Sequence, residues 1–236
     1  MKTTPMRTNE STAGSTRLLH RLTAALLALV LAASAALPVF AADTAPTDTI
    51  YINSVSDLLA FADKCGFDQW SKGKTVILQE DLSLEDTEWA PVASFSGAFK
   101  GNGHTISDVS LVGAYSPAGF FGILEEGGSI QDLTIKGVVN PAGTQKTAGG
   151  LVGTNYGTII NCTFSGAVHG EEEAGGLVGR NETSGTIDHS TSRAMVSGAY
   201  ATGGIVGYNL GVITGCTNVG SINTEYQEAS LDTDGF

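Results

Sequence analysis

One short marker recurs along the chain and limits the folds that the sequence can adopt. It reads Gly-Gly, two aliphatic residues and Gly, and it occupies residues 149–153, 175–179 and 203–207. The copies start 26 and then 28 residues apart, and a weaker copy at residues 119–122 lies 31 residues before the Gly150 copy. Self-similarity on this scale indicates stacked structural units that bury their apolar sides against one another.

Further positions recur downstream of the markers and keep one register with each other. An isoleucine recurs at Ile106, Ile130, Ile159, Ile187 and Ile213, and seven residues later a small residue recurs at Gly113, Gly137, Gly166, Ala194 and Gly220. A column between them holds Val109, Leu133, Cys162, Ser190 and Cys216, and one beyond them holds Val139, Val168, Val196 and Ile222. The repeat therefore predicts that these side chains lie over one another.

The glycine content decides which kind of repeat this is. Of the 31 glycines, 28 lie from Gly97 onward, and each costs a helix interior about 1 kcal/mol relative to Ala. Segments such as residues 158–164 and 212–216 are β-branched and flanked by Gly, as strands between corners are. A propeller blade needs about 40 residues, so the period favours an all-β parallel β-helix with about three strands per coil.

The chain divides into four predicted parts. Basic Lys2, Arg7, Arg17 and Arg21 precede an apolar run at residues 22–37 and a small-x-small pattern ending at Ala41. That pattern is typical of a secretory signal peptide over residues 1–41, with cleavage after Ala41 or, as second choice, after Ala42. The run is shorter than the ~20 residues that span a bilayer, and no other run in the chain predicts a span. A cap over residues 42–96, coils over 97–222 and a polar tail over 223–236 follow.

The cap is predicted to contain one helix over residues 54–66. Ser54 has the identity of an N-cap, Leu58 and Phe61 lie on an apolar stripe, and Gly66 closes the segment. Residues 75–78 and 81–84 are predicted to be strands that lead into the first coil. The tail ends near the position of the next Gly-Gly marker, which favours a chain that continues in a longer protein over a tail folded on the last coil.

The charge of the chain excludes one class of partner. Its formal net charge is −12 at pH 7, which repels phosphate backbones, so nucleic-acid binding is not expected. The three cysteines, Cys65, Cys162 and Cys216, predict no disulfide framework. Because Cys162 and Cys216 fall two coils apart, about 9 to 10 Å at the usual strand spacing, they are too far apart to bond.

The sequence predicts no catalytic residue, metal site or cofactor. Residues 188–190 read Asp-His-Ser, but neighbours on a strand point to opposite faces and cannot form a nucleophilic triad. Acidic runs at residues 85–88, 125–126 and 171–173 contain the carboxylates that glycoside cleavage or calcium binding requires. Acidic runs of this kind more often lie on solvent-exposed loops and have no chemical role. The histidines lack metal-ligand spacing.

Two sets of polar and aromatic residues remain. Asn155, Asn181 and Asn209 follow the last glycine of each marker by two residues, which predicts either a ladder of hydrogen-bonded amides or a row facing a glycan. Because the asparagines recur with the period of the coils and not with that of a ligand, the ladder is favoured. Exposed tyrosines are predicted at Tyr115, Tyr156, Tyr200 and Tyr208, and the last three are the candidate binding residues because a phenol ring stacks on sugars.

The repeat at residues 148–162, Ala-Gly-Gly-Leu-Val-Gly-x-Asn-x-Gly-Thr-Ile-x-Asn-Cys, resembles the GLUG motif of bacterial secreted and surface proteins. Variants follow at residues 174–188 and 202–216. The repeat positions are Gly150, Gly153, Asn155, Ile159, Gly176, Gly179, Asn181, Ile187, Gly204, Gly207, Asn209 and Ile213. The resemblance implies a right-handed parallel β-helix. Such repeats occur in proteins assigned as adhesins and beside IgA-specific metallopeptidases, whose His-Glu-x-x-His motif this chain lacks.

These observations predict an exported, non-catalytic surface or adhesion module. Its loops would bind carbohydrate, or a protein of a host or cell surface, through many weak contacts whose binding free energies add. The alternative is an accessory or substrate-binding region of a larger secreted enzyme, a peptidase or a polysaccharide-degrading enzyme. A polysaccharide-cleaving β-helix, the remaining hypothesis, requires Glu125, Glu171 and Asp188 to converge on one groove.

Overall fold

A computed structural model describes residues 48–66, 69–143 and 147–224. The predicted signal segment and the tail from residue 225 lie outside the described residues. The rest folds as a parallel β-helix of about six turns with one short helix near its beginning. The predicted fold class is confirmed.

The strands form four parallel sheets that run along the β-helix. Sheet A contains β1 (Thr49–Ile52), β2 (Thr75–Leu78), β5 (Ala98–Lys100), β8 (Ser129–Gln131), β12 (Thr158–Ile160), β16 (Thr186–Asp188) and β20 (Val212–Thr214). Sheet B contains β3 (Leu82–Ser83), β6 (Thr105–Leu111), β9 (Thr134–Val139), β13 (Thr163–Gly170), β17 (Thr191–Gly198), β21 (Thr217–Asn218) and β22 (Ser221–Thr224). Sheet C contains β4 (Val92–Phe95), β7 (Phe121–Leu124), β11 (Val152–Asn155), β15 (Val178–Asn181) and β19 (Val206–Asn209). Sheet D contains β10 (Thr147–Gly149), β14 (Glu173–Gly175) and β18 (Ala201–Gly203).

The isoleucine column is the centre of sheet A. Ile159 is in register with Ile130 and Ile187, and Ile187 is in register with Ile213. The first three are fully buried. Equivalent side chains of successive coils therefore lie over one another, as the repeat predicts.

The predicted register of the first coil is wrong. Phe99, not Ile106, precedes Ile130 in the sheet A column, and Ile106 pairs with Ile135 in sheet B. The register of β6 then shifts by one residue between Ile106 and Val109, where Asp108 has a positive φ of 60°. An extra residue in one strand is a β-bulge.

The bulge also changes the neighbouring predicted columns. Val109 lies opposite Gly137, in the place predicted for Gly113, and Leu111 begins the column that continues through Val139 and Val168. From Gly137 onward the predicted columns are in register.

The glycine pair of each marker is required by close packing. The first glycines, Gly149, Gly175 and Gly203, face the carbonyl oxygen of the valine three residues later, and a Cβ there would collide with it. The second glycines have no room because a Cβ would meet Phe164, Ser192 or Asn218. None of these six glycines has a φ in the left-handed region, so lack of space, not backbone conformation, selects glycine.

The last glycine of each marker lets sheet C approach sheet D. A Cβ at Gly179 would lie 2.9 Å from the amide nitrogen of Ala148, and one at Gly207 would lie 2.7 Å from that of Ala174. Real Cβ atoms do not approach a backbone nitrogen so closely. The marker therefore encodes the corner between the two sheets.

The three asparagines form a chain of hydrogen bonds through the coils. Asn155 donates from Nδ2 to Oδ1 of Asn181 at 2.7 Å, and Asn181 donates to Oδ1 of Asn209 at 2.7 Å. Asn181 Nδ2 also donates to the carbonyl of Gly185, and Asn155 Oδ1 accepts from the amide of Gly157. Because Asn155 and Asn181 are fully buried, these bonds satisfy polar groups that water cannot reach.

The helix closes the N-terminal end of the coils. Helix α1 (Val55–Lys64) begins at Ser54, whose Oγ accepts from the amide of Asp57. Its apolar side packs on the first coil, where the ring of Phe61 lies 5.7 Å from that of Phe95 and 5.8 Å from that of Phe99. Within the described ranges, no helix is long and apolar enough to cross a bilayer.

The coils differ in length at their corners. Two residues separate β11 from β12 and β19 from β20, whereas four residues separate β15 from β16. The flanking strands nevertheless stay in register on both sides. The change from a 26-residue to a 28-residue step is therefore confined to one corner.

We expect Gly175→Ala to lower the free energy of unfolding by roughly 2 to 4 kcal/mol, because the new methyl group must displace backbone in a packed corner. Gly73→Ala is the matched control. Gly73 has a φ of +74° and open space around its Cβ position. Its replacement therefore only places an alanine in the left-handed backbone region, which costs about 1 kcal/mol of stability. Urea denaturation of both variants measures the difference, and equal losses would contradict the steric explanation.

We expect Asn181→Asp to be more destabilising at pH 7 than at pH 4. A carboxylate can accept from Asn155 but cannot donate to Asn209, and burial raises the pKa of such a group above its unfolded value of about 3.9. Its stability cost is therefore smallest in acid and grows as the pH rises and the unfolded chain ionises.

The matched control for this change is Asn140→Asp, since Asn140 is exposed. Thermal unfolding at both pH values should show a pH-dependent loss for residue 181 and none for residue 140. A pH-independent loss at residue 181 would contradict ionisation of the buried carboxyl group as the cause of the destabilisation.

Candidate functional site

The three candidate tyrosines lie on the outer surface of the last coils. Tyr208 is on β19, Tyr156 is at the corner between β11 and β12, and Tyr200 is at the corner between β17 and β18. Their exposed fractions are 41%, 37% and 80%. Tyr115, also predicted to be exposed, is instead half-buried against the core, because it follows the turn at Gly113 and folds back over it.

Arg180 forms the centre of an ion-pair network on the same surface. Its Nη1 donates to Oε1 of Glu173 at 2.6 Å and its Nε donates to Oε1 of Glu182 at 2.7 Å. Glu173 also accepts from Oγ1 of Thr147 at 3.0 Å. The hydrogen bonds to Glu182 and Glu173 raise the pKa of the Arg180 guanidinium above its ordinary value, so it is a fixed cation.

The coil register places Tyr208 against this network, and Tyr156 and Tyr200 at the corners on either side of it. Tyr208 is paired with Arg180, whose guanidinium carbon lies 4.6 Å from the centre of the phenol ring. Tyr156 and Glu182 occupy equivalent positions, because each follows an asparagine of the amide chain. Tyr200 directly precedes Ala201, which pairs with Glu173.

We call this surface the tyrosine–arginine patch and define it by Tyr156, Tyr200, Tyr208 and Arg180 with its two glutamates. It combines exposed aromatic rings with fixed hydrogen-bonding groups of both signs. Aromatic rings present an apolar face to the C–H groups of a ligand, while carboxylates and a guanidinium pair with hydroxyl groups. The patch is thus suited to weak binding of a polar ligand.

The sequence predictions omit Arg180 although the repeat contains its position. It occupies the variable place between the last marker glycine and the asparagine, which Thr154 and Tyr208 fill in the neighbouring coils. That column points outward, so its members meet each other across coils. Aligning the repeat copies by this column therefore places Arg180 next to Tyr208 from the sequence alone.

Two residues of the apparent triad contact each other, contrary to the expectation for strand neighbours, because His189 has a left-handed backbone with a φ of 45°, but Ser190 does not join them. Asp188 Oδ1 lies 2.7 Å from Nδ1 of His189, whose side chain is 70% exposed. Ser190 is fully buried, and its Oγ accepts from the amide of Cys162 and donates to the carbonyl of Asp188. The Ser190 hydroxyl therefore forms hydrogen bonds inside the coils, as its position in the column of Cys162 and Cys216 predicts.

The acidic residues of the cleavage hypothesis lie apart. Glu125 follows β7 at the corner towards sheet A and accepts from Oγ of Ser94, Glu171 lies at the corner after β13, and Asp188 lies on β16. They belong to three different parts of the coil. Among the described residues, no group of three or more His, Cys, Asp and Glu side chains is placed to hold a metal ion.

The three cysteines are unpaired thiols. Burial raises the pKa of Cys65 and of Cys162 to about 12, which keeps both thiols protonated and unreactive at neutral pH. Cys216, in the last coil, is only half-buried, and burial also raises its pKa.

Comparison with known proteins identifies the repeat. Residues 144–168 match the sequence model of the GLUG motif. Over 144 residues, or 54% of this chain, the sequence is 36% identical to halomucin of Haloquadratum walsbyi, and this chain spans about 2% of the length of that protein.

A solved structure is also similar. It is that of a Bacteroides ovatus protein provisionally assigned as an immunoglobulin A1 protease, with a TM-score of 0.43 and 14% identity over 75% of this chain and 76% of the other. The fold assignment itself depends on the strand registers of this chain.

We expect Arg180→Gln to lower the free energy of unfolding by about 1 kcal/mol at low salt, because it removes two partly exposed ion pairs and leaves two glutamates without their cation. The loss should shrink in 1 M salt, where charges are screened over about 3 Å. Arg193→Gln is the matched control, since Arg193 is exposed on sheet B and its loss should stay within about 0.5 kcal/mol. Urea denaturation at both salt concentrations tests this, and a salt-independent loss would count against the network.

Proposed function

We propose that this chain, which carries the GLUG motif at residues 144–168, is an exported, non-catalytic surface module that binds carbohydrate through repeated weak contacts. The tyrosine–arginine patch carries the proposal. It places the exposed phenol ring of Tyr208 beside a guanidinium and carboxylates that are already held in position.

The construction of the coil supports binding at several points. Outward positions in neighbouring coils are separated by about 4.8 Å, so an extended ligand can contact successive coils along one line. Contacts that are weak individually add when they belong to one rigid body, because each later contact is made at high effective concentration. A stiff coil therefore compensates for the lack of a deep pocket.

The proposed location rests on two observations of different kinds. Residues 1–41 have the basic, apolar and small-residue segments of a secretory signal, with cleavage proposed near Ala41. The similarity to halomucin over 144 residues supports a module used in an extracellular setting. Secretion or display on a bacterial cell surface follows as part of the proposal, with a glycan or a host or cell-surface protein as the partner.

A second candidate is an accessory, substrate-binding region of a larger secreted enzyme. The lengths of the two similar proteins favour it. The stretch similar to this chain makes up about 2% of halomucin, so coils of this kind occur inside a far longer protein. Such a region would bind the substrate of its enzyme through the same patch. A glycan that binds here and is also degraded by the longer protein would distinguish it from an adhesion module.

Binding of purified residues 42–236 to an array of immobilised glycans tests the proposal. We expect the affinity to fall at least about fivefold for Tyr208→Ala and for Tyr156→Ala, since stacking of a planar base on one aromatic ring contributes about 1 to 3 kcal/mol and a sugar stacks in a similar way. Tyr51→Ala is the matched control, because Tyr51 is 55% exposed on β1, far along the coil from the patch. A blank array, or equal losses in all three variants, would refute carbohydrate binding at the patch.

A further inference from the structure

Two columns of outward side chains run along the outer face of sheet C. They alternate with fully buried residues such as Phe95, Leu124 and Asn155, so they face away from the core. The pairing continues one residue past the strand ends, because the amide of Tyr156 donates to the carbonyl of Leu124 and its equivalents do the same. We call these residues the outer columns: Ser94, Ile123, Thr154, Arg180 and Tyr208 form the first, and Ser96, Glu125, Tyr156, Glu182 and Leu210 form the second.

The exposed ring of Tyr156 lies between two carboxylates of its own column, Glu125 in the preceding coil and Glu182 in the following one. Each carboxylate is held by a donor from the first column. Ser94 donates from Oγ to Oε1 of Glu125 at 2.7 Å. Arg180 donates from Nε to Oε1 of Glu182 at 2.7 Å. The ring is therefore flanked on both sides by hydrogen-bond acceptors whose positions are fixed before a ligand arrives.

At their N-terminal end the outer columns lead into an open groove beside the end of helix α1. Its volume is about 330 Å³, which is within the range of known small-ligand sites. Ser94, Ser96 and Glu125 of the outer columns line one side, and Ser71 and Lys72 line the other. Ser71 is buried and its Oγ accepts from the amide of Ser96 at 2.9 Å. The groove is thus lined by hydroxyl groups and a carboxylate, and its two sides are bonded to each other.

The charges along this surface select the chemistry of a ligand. Glu125, Glu126 and Glu182 contribute carboxylates, while Arg180 is already paired with two glutamates and Lys72 is the cation that faces the groove. A carboxylate accepts hydrogen bonds and repels another anion. The surface therefore favours a ligand that has many hydroxyl donors and no negative charge. Its exposed tyrosine rings in addition favour a ligand with a flat face of C–H groups.

We propose that the outer columns and the groove form one binding surface for a neutral, linear glycan that lies parallel to the axis of the coils. Successive sugar rings contact successive coils, because a pyranose ring is about as long as the ~4.8 Å step between strands. The glycan stacks on Tyr156 and Tyr208, its hydroxyl groups donate to Glu125 and Glu182, and one terminal ring lies in the groove. This inference rests on the proposed carbohydrate binding and adds the class of glycan, its direction and a second contact region.

An array that carries both neutral and acidic linear glycans tests the class of ligand. Neutral glucans, galactans, mannans or xylans should bind the purified protein. Glycans that contain uronate, sialate or sulfate should bind at least about tenfold more weakly, because the carboxylates of the surface repel them. A preference for acidic glycans would refute the neutral class and leave carbohydrate binding intact, whereas a blank array would refute the proposed function as well.

Oligomers of the neutral glycan that binds best on the array test the direction of the ligand. In titration calorimetry we expect the affinity to rise about tenfold or more from the single sugar to the longer oligomers, since each added ring contacts a further coil. The rise should end at roughly four rings, which cover the ~19 Å between the coil of Ser94 and that of Tyr208. An affinity independent of length would confine the ligand to one coil and refute the extended surface.

Glu125→Ala tests the part of the surface that lies beyond the tyrosine–arginine patch. We expect the affinity for the four-ring oligomer to fall about tenfold or more, because hydrogen bonds to a charged acceptor are the stronger class. Glu80→Ala is the matched control, since Glu80 is exposed between β2 and β3, away from sheet C, and it should leave the affinity unchanged. If Tyr156→Ala weakens binding and Glu125→Ala does not, the site is confined to the patch and the extension is wrong.

Ala93→Leu tests the groove. Ala93 is exposed and lines the groove, so a leucine there occupies the space of the terminal sugar ring without entering the core. The affinity for the four-ring oligomer should fall at least about fivefold, to that of the oligomer one ring shorter, while the affinity for the single sugar stays unchanged. The melting temperature establishes that each variant is folded. Wild-type affinities of Ala93→Leu for all lengths would exclude the groove from the binding surface.

Discussion

Parallel, in-register pairing of each coil with the next is the constraint on which the rest of the structure depends. Every strand hydrogen-bonds to its equivalent one turn away, so a position that faces inward in one coil faces inward in all. Isoleucine fills such a column, since Ile130, Ile159 and Ile187 lie in register and are fully buried. A buried asparagine can fill another only because its amide donates to one neighbour and accepts from the other.

The same pairing assembles the outer surface from residues that are distant in sequence. Arg180 reaches Glu173, seven residues earlier, because sheets C and D meet at a corner made of glycines, and it reaches Tyr208 because the two share a column. The candidate site is thus a product of the stacking, not of a loop with its own fold. This explains why the patch is shallow and why Ser190 points away from the neighbouring Asp188–His189 pair.

The repeated part of the fold was predictable from sequence, and its irregular part was not. The recurrence of the marker, of Ile159 and of Asn155 in successive coils identified the columns from Gly137 onward, because each coil repeats the packing problem of the one before. The first coil failed because Phe99 replaces isoleucine and the bulge at Asp108 shifts the register. Spacing located the tyrosines, but the ion pairs of Arg180 depend on side-chain directions that a repeat alone does not fix.

The unequal corners have a consequence for how this architecture can change. The corner between β15 and β16 holds two more residues than the corresponding corners of the coils before and after it, yet the strands on either side keep their partners. Length variation is therefore absorbed locally, and genetic insertions at such a corner leave the stacked interior untouched. A foreign peptide grafted between β15 and β16 would project from the side of an intact rod, which makes the protein a scaffold for displaying sequences that have no fold of their own.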